Sequence, residues 1–220
     1  REELWRVRPL ERMKRSISAA LGTAMLAGVS TLSAETWNGF YLNGNVGMAM
    51  SQELSIDSEV TSSAGRLSFS SGVRGDLEFG GRWFNHLDVG IQAGILWNSV
   101  DKIQDDSASG STLFQVPVLL NFTYRHPIKE KWIPYVGAGV GGVYTMLDLQ
   151  SPVGDMNASD FTLGYQLSAG LRYAFTEKME LGVGYQYLAS GDHDWSDSGI
   201  SLKTDASVNH CFVLSFSWKF

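Results

Sequence analysis

The stretch Phe69-Ser70-Ser71-Gly72-Val73-Arg74-Gly75-Asp76-Leu77-Glu78-Phe79-Gly80-Gly81-Arg82-Trp83-Phe84 decides the fold. Val73, Leu77, Phe79 and Trp83 share one parity, and Arg74, Asp76, Glu78 and Arg82 share the other. In a strand, successive side chains leave opposite faces, so this is a period-two pattern and not a helical one. Four charges on one face and bulky apolar groups on the other suit a strand lying between lipid and a polar interior. A strand with its charges in water shows the same alternation, so the rest of the chain must decide between the two.

The alternation recurs along the chain. Upstream, Phe40, Leu42, Val46, Met48 and Met50 alternate with Asn43, Asn45, Gly47 and Ala49. Downstream, Leu87–Trp97, Gln115–Tyr124, Tyr135–Tyr144, Phe161–Tyr173, Met179–Tyr187 and Val208–Phe220 repeat it. That makes eight segments, each of about 10 residues or more, the length a tilted strand needs to cross a bilayer. An even number permits antiparallel closure, which removes edges that lipid cannot hydrogen-bond. The expected fold is all-β: an eight-stranded antiparallel up-and-down transmembrane β-barrel.

The connections alternate in length. Those at 51–67, 99–110, 145–160 and 190–206 are long, whereas Asn85-His86, 125–131 and Thr176-Glu177-Lys178 are short. Long loops at one end and tight turns at the other are the outer-membrane arrangement. The long loops are acidic: Glu53, Asp57, Glu59, Asp101, Asp105, Asp106, Asp148, Asp155, Asp160, Asp192, Asp194, Asp197 and Asp205 face only Arg66, Lys102 and Lys203. Solvation of surface loops accounts for this, and a cation bridge to lipopolysaccharide phosphates is the sharper alternative.

Before the barrel, Met13-Lys14-Arg15, the apolar run from Ile17 to Val29 and the small residues Ser30, Thr31, Ser33 and Ala34 follow the order of a signal peptide. The sequence thus predicts an upstream extension over 1–12, a signal peptide over 13–34 cleaved after Ala34, and the barrel over 35–220. The whole chain has a formal charge of −6. Removing the six basic and three acidic residues before Glu35 leaves eleven basic and twenty acidic ones, a net −9. Nucleic acid is therefore not expected as a partner. The single cysteine, Cys211, excludes an internal disulfide and reads as an inert small hydrophobe.

Three passages carry a family resemblance: Ile133-Pro134-Tyr135-Val136-Gly137-Ala138-Gly139-Val140-Gly141-Gly142, the run from Leu163-Gly164-Tyr165-Gln166 to Gly170-Leu171-Arg172-Tyr173, and the closing Phe216-Ser217-Trp218-Lys219-Phe220. Together they resemble the outer-membrane β-barrel domain family, which includes opacity-type proteins and the membrane domain of outer-membrane protein A. The resemblance covers nearly all of the chain after the signal peptide. It implies a multi-pass barrel in the outer membrane of a Gram-negative cell. Its implied partners are membrane lipid, lipopolysaccharide and the barrel assembly machinery, with an extracellular ligand left open, and the expected state is a monomer. Phe216, Trp218 and Phe220 look like the signal that the assembly machinery reads. The family hosts adhesins, anchors, small channels and a few enzymes, so resemblance fixes location more closely than activity.

The remaining motifs do not point to catalysis. Gly137, Gly139 and Gly142 match G-x-G-x-x-G, but a dinucleotide site needs a following helix, and the chain runs into a loop instead. The four histidines, His86, His126, His193 and His210, lack metal-ligand spacing, and no cofactor or metal is expected. Some eight-stranded barrels hydrolyse lipid A with a His and a Ser on adjoining strand positions. No matching His-x-Ser occurs here, which leaves only a pairing of His210 with a Ser from another strand. The candidate site is therefore the set of inward charges Arg74, Asp76, Glu78, Arg82, Asp88, Arg172, Glu180 and Lys219, read as a plug or as gating groups. A charge facing lipid at mid-bilayer costs roughly 2–4 kcal/mol, so these must face inward. A structural or surface-interaction barrel with a plugged charged lumen is the leading expectation. A narrow porin-like channel for small solutes or ions, and a lipid A-modifying enzyme, are the alternatives.

Overall fold

The computed structural model describes residues 37–220 apart from 53, 59–64, 70, 104–105, 108–110, 130, 150–155, 198–199 and 205. The assignments made for 1–12 and 13–34 lie outside these residues. Eight strands form the wall: β1 (Trp37–Ser51), β2 (Gly72–Trp83), β3 (Leu87–Ile103), β4 (Thr112–Arg125), β5 (Trp132–Leu149), β6 (Met156–Ala174), β7 (Met179–Ser190) and β8 (Val208–Lys219). Each pairs antiparallel with the next, and β1 pairs with β8 from Tyr41↔Lys219 to Ser51↔Asn209, which closes the ring.

Alternation along every strand becomes inside and outside. Val46, Leu77, Val140, Leu163 and Leu214 are 59–78 % exposed, on the face that meets lipid. Their neighbours Asn45, Asp76, Glu78, Gln166, Ser215 and Ser217 are buried in the lumen. Aromatic side chains stand outward near both ends: Tyr124, Trp132, Tyr173 and Trp218 on the turn side, Trp97, Tyr144 and Phe161 on the loop side. Amphipathic rings favour the two interfaces of a bilayer.

The short turns are built locally. Phe84 and Asn85 both have positive φ, 52° and 59°, and the His86 N–H donates to the Trp83 carbonyl at 3.1 Å. Paired positive φ values are the type I′ signature, whose twist matches that of the strands it joins. The Asn85 N–H also donates to Asn38 Oδ1 at 3.0 Å, which ties this turn to the start of β1. At the last short turn, the Thr176 hydroxyl accepts the N–H groups of Lys178 and Met179.

The structure departs from the sequence reading in two places. Arg125, assigned there to a short connection, is the last residue of β4. The long connections are also not wholly irregular: Leu54–Ser58 pairs with Gly65–Phe69, which pairs in turn with the end of β3. Ile200–Thr204 pairs with both His193–Asp197 and Leu54–Ser58. Period-two reading stopped where apolar side chains gave way to polar ones. Beyond the bilayer a strand needs no lipid face, so that signal vanishes while backbone pairing continues.

Candidate functional site in the barrel lumen

An eight-stranded barrel has an interior just wide enough for side chains to fill. Here the filling is layered, and the layers can be followed along each strand toward the loop end. Inward residues run Gln92, Leu96, Asn98 on β3; Asn121, Leu119, Gln115 on β4; Gln186, Leu188, Ser190 on β7; and Val213, Cys211, Asn209 on β8. An apolar level thus separates two polar ones.

The level nearest the turns is an ion-pair cluster. Arg82 and Asp88 stand opposite each other across the β2–β3 hairpin. Arg82 grips the carboxylate in two places, Nε to Oδ1 at 2.7 Å and Nη2 to Oδ2 at 3.0 Å. Glu180 reaches in from β7: its Oε1 lies 2.5 Å from Arg125 Nη2 and 3.4 Å from Arg82 Nη1. Arg125 Nη1 is 3.6 Å from Asp88 Oδ2, so two arginines and two carboxylates from four strands form one group. Charge-assisted contacts of this kind are the stronger hydrogen bonds.

Above it lies a mixed network. Glu78 accepts hydrogen bonds from the Tyr41 hydroxyl and from Asn121 Nδ2. Asp76 Oδ1 accepts from Asn45 Nδ2 at 2.5 Å and Gln92 Nε2 at 2.6 Å, while its Oδ2 accepts from Arg74 Nε at 2.9 Å. Arg74 Nη2 donates to Gln166 Oε1 at 2.5 Å, and Gln166 Nε2 donates to Gln92 Oε1 at 2.9 Å, bridging β2, β6 and β3. The guanidinium of Arg172 lies 4.5 Å from the centre of the Tyr135 ring. Glycines make room for the two tyrosines: a Cβ at Gly90 would meet the Tyr41 hydroxyl at 2.5 Å, and one at Gly170 the Tyr135 hydroxyl at 2.6 Å.

Next comes the apolar level: Ala49, Leu96, Leu119, Val143, Leu188, Cys211 and Val213 form one buried cluster. A polar cap follows, in which Asn209 Nδ2 donates to Gln115 Oε1 at 2.8 Å and Asn98 Nδ2 donates to Asn209 Oδ1 at 3.3 Å.

Seven of the eight charges named from the sequence, Arg74, Asp76, Glu78, Arg82, Asp88, Arg172 and Glu180, are buried inside. The eighth, Lys219, is half-buried at the turn end, and no ion pair joins it to the others among the described residues. Arg125 takes the eighth buried place, so four arginines face four carboxylates. Arg125 continues the inward parity of Gln115, Asn121 and Thr123, which is the signal that could have found it. The apolar level had a signal too. Alternation breaks into apolar triplets at Ile95-Leu96-Trp97, Val118-Leu119-Leu120 and Phe212-Val213-Leu214, and the middle residue of each points inward.

Outside the lumen, the His210 ring stands on the lipid-facing parity near the loop end. Its Nδ1 lies 2.6 Å from the Tyr185 hydroxyl and its Nε2 lies 2.9 Å from Gln52 Nε2. His86 stacks with Tyr124 and His126 at the turn end. Gly137, Gly139 and Gly142 all lie within strand β5.

Solved structures share this architecture. Outer membrane protein OprG from Pseudomonas aeruginosa matches at 18 % identity and a TM-score of 0.63, over 84 % of this chain and 97 % of its own. Neisserial surface protein A matches at 17 % and 0.56, over 84 % and 99 %. Outer membrane protein AlkL, solved in lipid bilayers, matches at 16 % and 0.55, over 86 % and 94 %. At these identities the likeness speaks for the fold. No curated protein matches the chain. The model of the outer membrane protein beta-barrel domain matches residues 19–220, and the chain belongs to that family, as a barrel of the bacterial outer membrane.

Proposed function

We propose that the protein is a structural or surface-interaction barrel whose lumen is closed by its own side chains, with the long connections as the contact surface. The observation that carries this reading is the layered lumen. Four buried arginines are balanced by four buried carboxylates, and a seven-residue apolar cluster lies above all of them but Arg74, which stands opposite Leu96 with its Nη1 3.9 Å from Cys211 Sγ. An ion would have to break charge-assisted hydrogen bonds and then cross an apolar constriction, which gates by excluding water. That argues against the narrow-channel alternative.

The strand continuations at the loop end support a surface role, because Leu54–Ser58, Gly65–Phe69 and Ile200–Thr204 hold main chain in paired ladders beyond the wall. Lipopolysaccharide and an extracellular ligand are the proposed partners, with the barrel assembly machinery acting during insertion. The enzyme alternative draws no support from His210, whose ring nitrogens face Tyr185 and Gln52 instead of a serine. The deciding measurement is planar-bilayer conductance of the refolded barrel. No steady conductance is expected from the native protein, nor from a Leu96→Ser/Leu119→Ser variant, in which the ion-pair cluster is intact. Steady, large openings of the native protein would overturn the reading.

A further inference from the structure

The barrel wall continues beyond its eight strands in the same register. Leu54–Ser58 follows β1, Gly65–Phe69 precedes β2, His193–Asp197 follows β7 and Ile200–Thr204 precedes β8. The wall pair Val46↔Leu214 is matched further out by Leu202↔Ser58, Tyr185↔Phe212 by Trp195↔Leu202, and Val73↔Trp97 by Leu67↔Ile103. Both strands of each pair advance by the same even number of residues, so outward positions stay outward. The irregularity between Ser68 and Phe69 leaves the Leu67↔Ile103 register equal to that of the wall.

Outward positions change character twice along this wall. The lipid-facing run ends in exposed polar residues: Gln52 follows Met50, Ser99 follows Trp97, and Ser71 stands beyond Val73. Past that polar line the apolar residues return, for Leu54, Ile56, Leu67, Ile103, Trp195 and Leu202 all fall on outward positions. Ile56 lies roughly 13 Å along the strand beyond Gln52, at about 3.3 Å per residue. Inward positions of the same strands take Asp57, Arg66, Lys102, Asp194 and Lys203, among them all three basic residues of the long connections. A wall standing free in water would distribute its faces the other way round. The strip belongs to one side of the barrel, because the β5–β6 hairpin carries Asp148, Asn157 and Ser159 at its outward positions.

We propose that this strip is the contact face for a second copy of this chain, paired about a two-fold axis parallel to the barrel axis. The proposal rests on reading the long connections as a contact surface, and it replaces the monomer expected from the family resemblance. Lipid hydrocarbon ends at the polar line, so the strip leaves water only against protein. Two barrels inserted the same way in one membrane hold their strips at the same height, and a two-fold axis along the membrane normal sets one on the other. A surface that meets its own copy also meets its own charges, and like charges face to face are unfavourable. The middle of the strip, on the extensions of β8 and β1, has no charged residue at an outward position. Asp101 and Asp106 at the β3 margin and Asp197 at the far tip form a polar rim, as around other protein interfaces.

The test is disulfide cross-linking of the barrel refolded into lipid vesicles, with the buried native thiol removed by Cys211→Ala. Ile56→Cys lies on the middle strand of the strip and should give a linked dimer on oxidation. Ser159→Cys, at the same end of the opposite wall, should stay monomeric. Native mass spectrometry of the unmodified barrel should show twice the barrel mass, and Ile56→Asp should lose it. A shift in gel mobility between boiled and unboiled samples shows that each variant has folded. The proposal is overturned if Ser159→Cys links as readily as Ile56→Cys, if the unmodified barrel has a single mass, or if the dimer survives Ile56→Asp. A monomer would leave the closed-barrel reading in place, since that reading stands or falls on conductance alone.

Discussion

Replacing Glu180 by Gln removes one negative charge from the lumen while keeping the shape of the side chain. In the native cluster, Glu180 Oε1 is 2.5 Å from Arg125 and 3.4 Å from Arg82. Arg82 would keep its two-point grip on Asp88 at 2.7 and 3.0 Å. Arg125 would keep only Asp88 at 3.6 Å, with its side chain 2 % exposed. Leaving a buried charge without its partner typically costs about 3–5 kcal/mol. The glutamine oxygen and the remaining Asp88 contact offset part of this, so about 2–3 kcal/mol of destabilisation is expected for Glu180→Gln. Removing the stranded charge as well, in Glu180→Gln/Arg125→Met, should recover roughly 1–3 kcal/mol relative to the sum of the single changes. The assay is reversible urea unfolding of the barrel refolded into lipid vesicles, followed by tryptophan fluorescence. A Glu180→Gln change below about 0.5 kcal/mol, with additive double-mutant energies, would refute the reasoning. Small, additive effects are how exposed ion pairs behave, and they would mean that the lumen is wet.

Three further outcomes test the lumen, the first turn and the closing strand. Tyr41→Phe removes the hydroxyl that donates to buried Glu78 and should cost about 1.5–3 kcal/mol in the same urea assay; an unchanged midpoint would contradict the contact. Phe84→Gly relieves a non-glycine residue held at φ 52° and should stabilise the barrel by roughly 0.5–1 kcal/mol after the extra entropy of glycine is deducted. A loss of stability there would mean that the exposed Phe84 ring anchors the interface more than its backbone strains the turn. Phe220 stacks 6.4 Å from Phe79 and its N–H donates to the Phe40 carbonyl at the β8–β1 closure. Phe220→Ala should therefore lower the amount of folded barrel at the cell surface, and normal levels would count against its role in assembly.

How much of this was legible in the sequence depends on the range of the interaction. The residues from Val73 to Trp83 display their two faces because pleating alternates side chains whatever lies nearby. Eight such segments, with long and short connections in turn, therefore sufficed for the barrel, its lipid face and the inward placement of Arg74, Asp76, Glu78, Arg82, Asp88, Arg172 and Glu180. Lys219 obeys the same parity, yet it stands half-buried at the turn end, because parity fixes direction and not depth.

Which charge meets which was decided only by closure. Arg125 and Glu180 are 55 residues apart and come from strands with two others between them around one side of the ring. They meet because the radius and stagger of an eight-stranded barrel bring opposite walls within a side chain's reach. The apolar level arose in the same way, since Leu96, Leu119, Leu188 and Val213 break the alternation singly and form one layer only when four strands are set in register. The sequence by itself determined the strands and their faces, because those depend on adjacent residues. The tertiary structure alone decided that the inward residues form a balanced ion-pair cluster under an apolar level, because that depends on distances across the lumen which no neighbouring residue encodes.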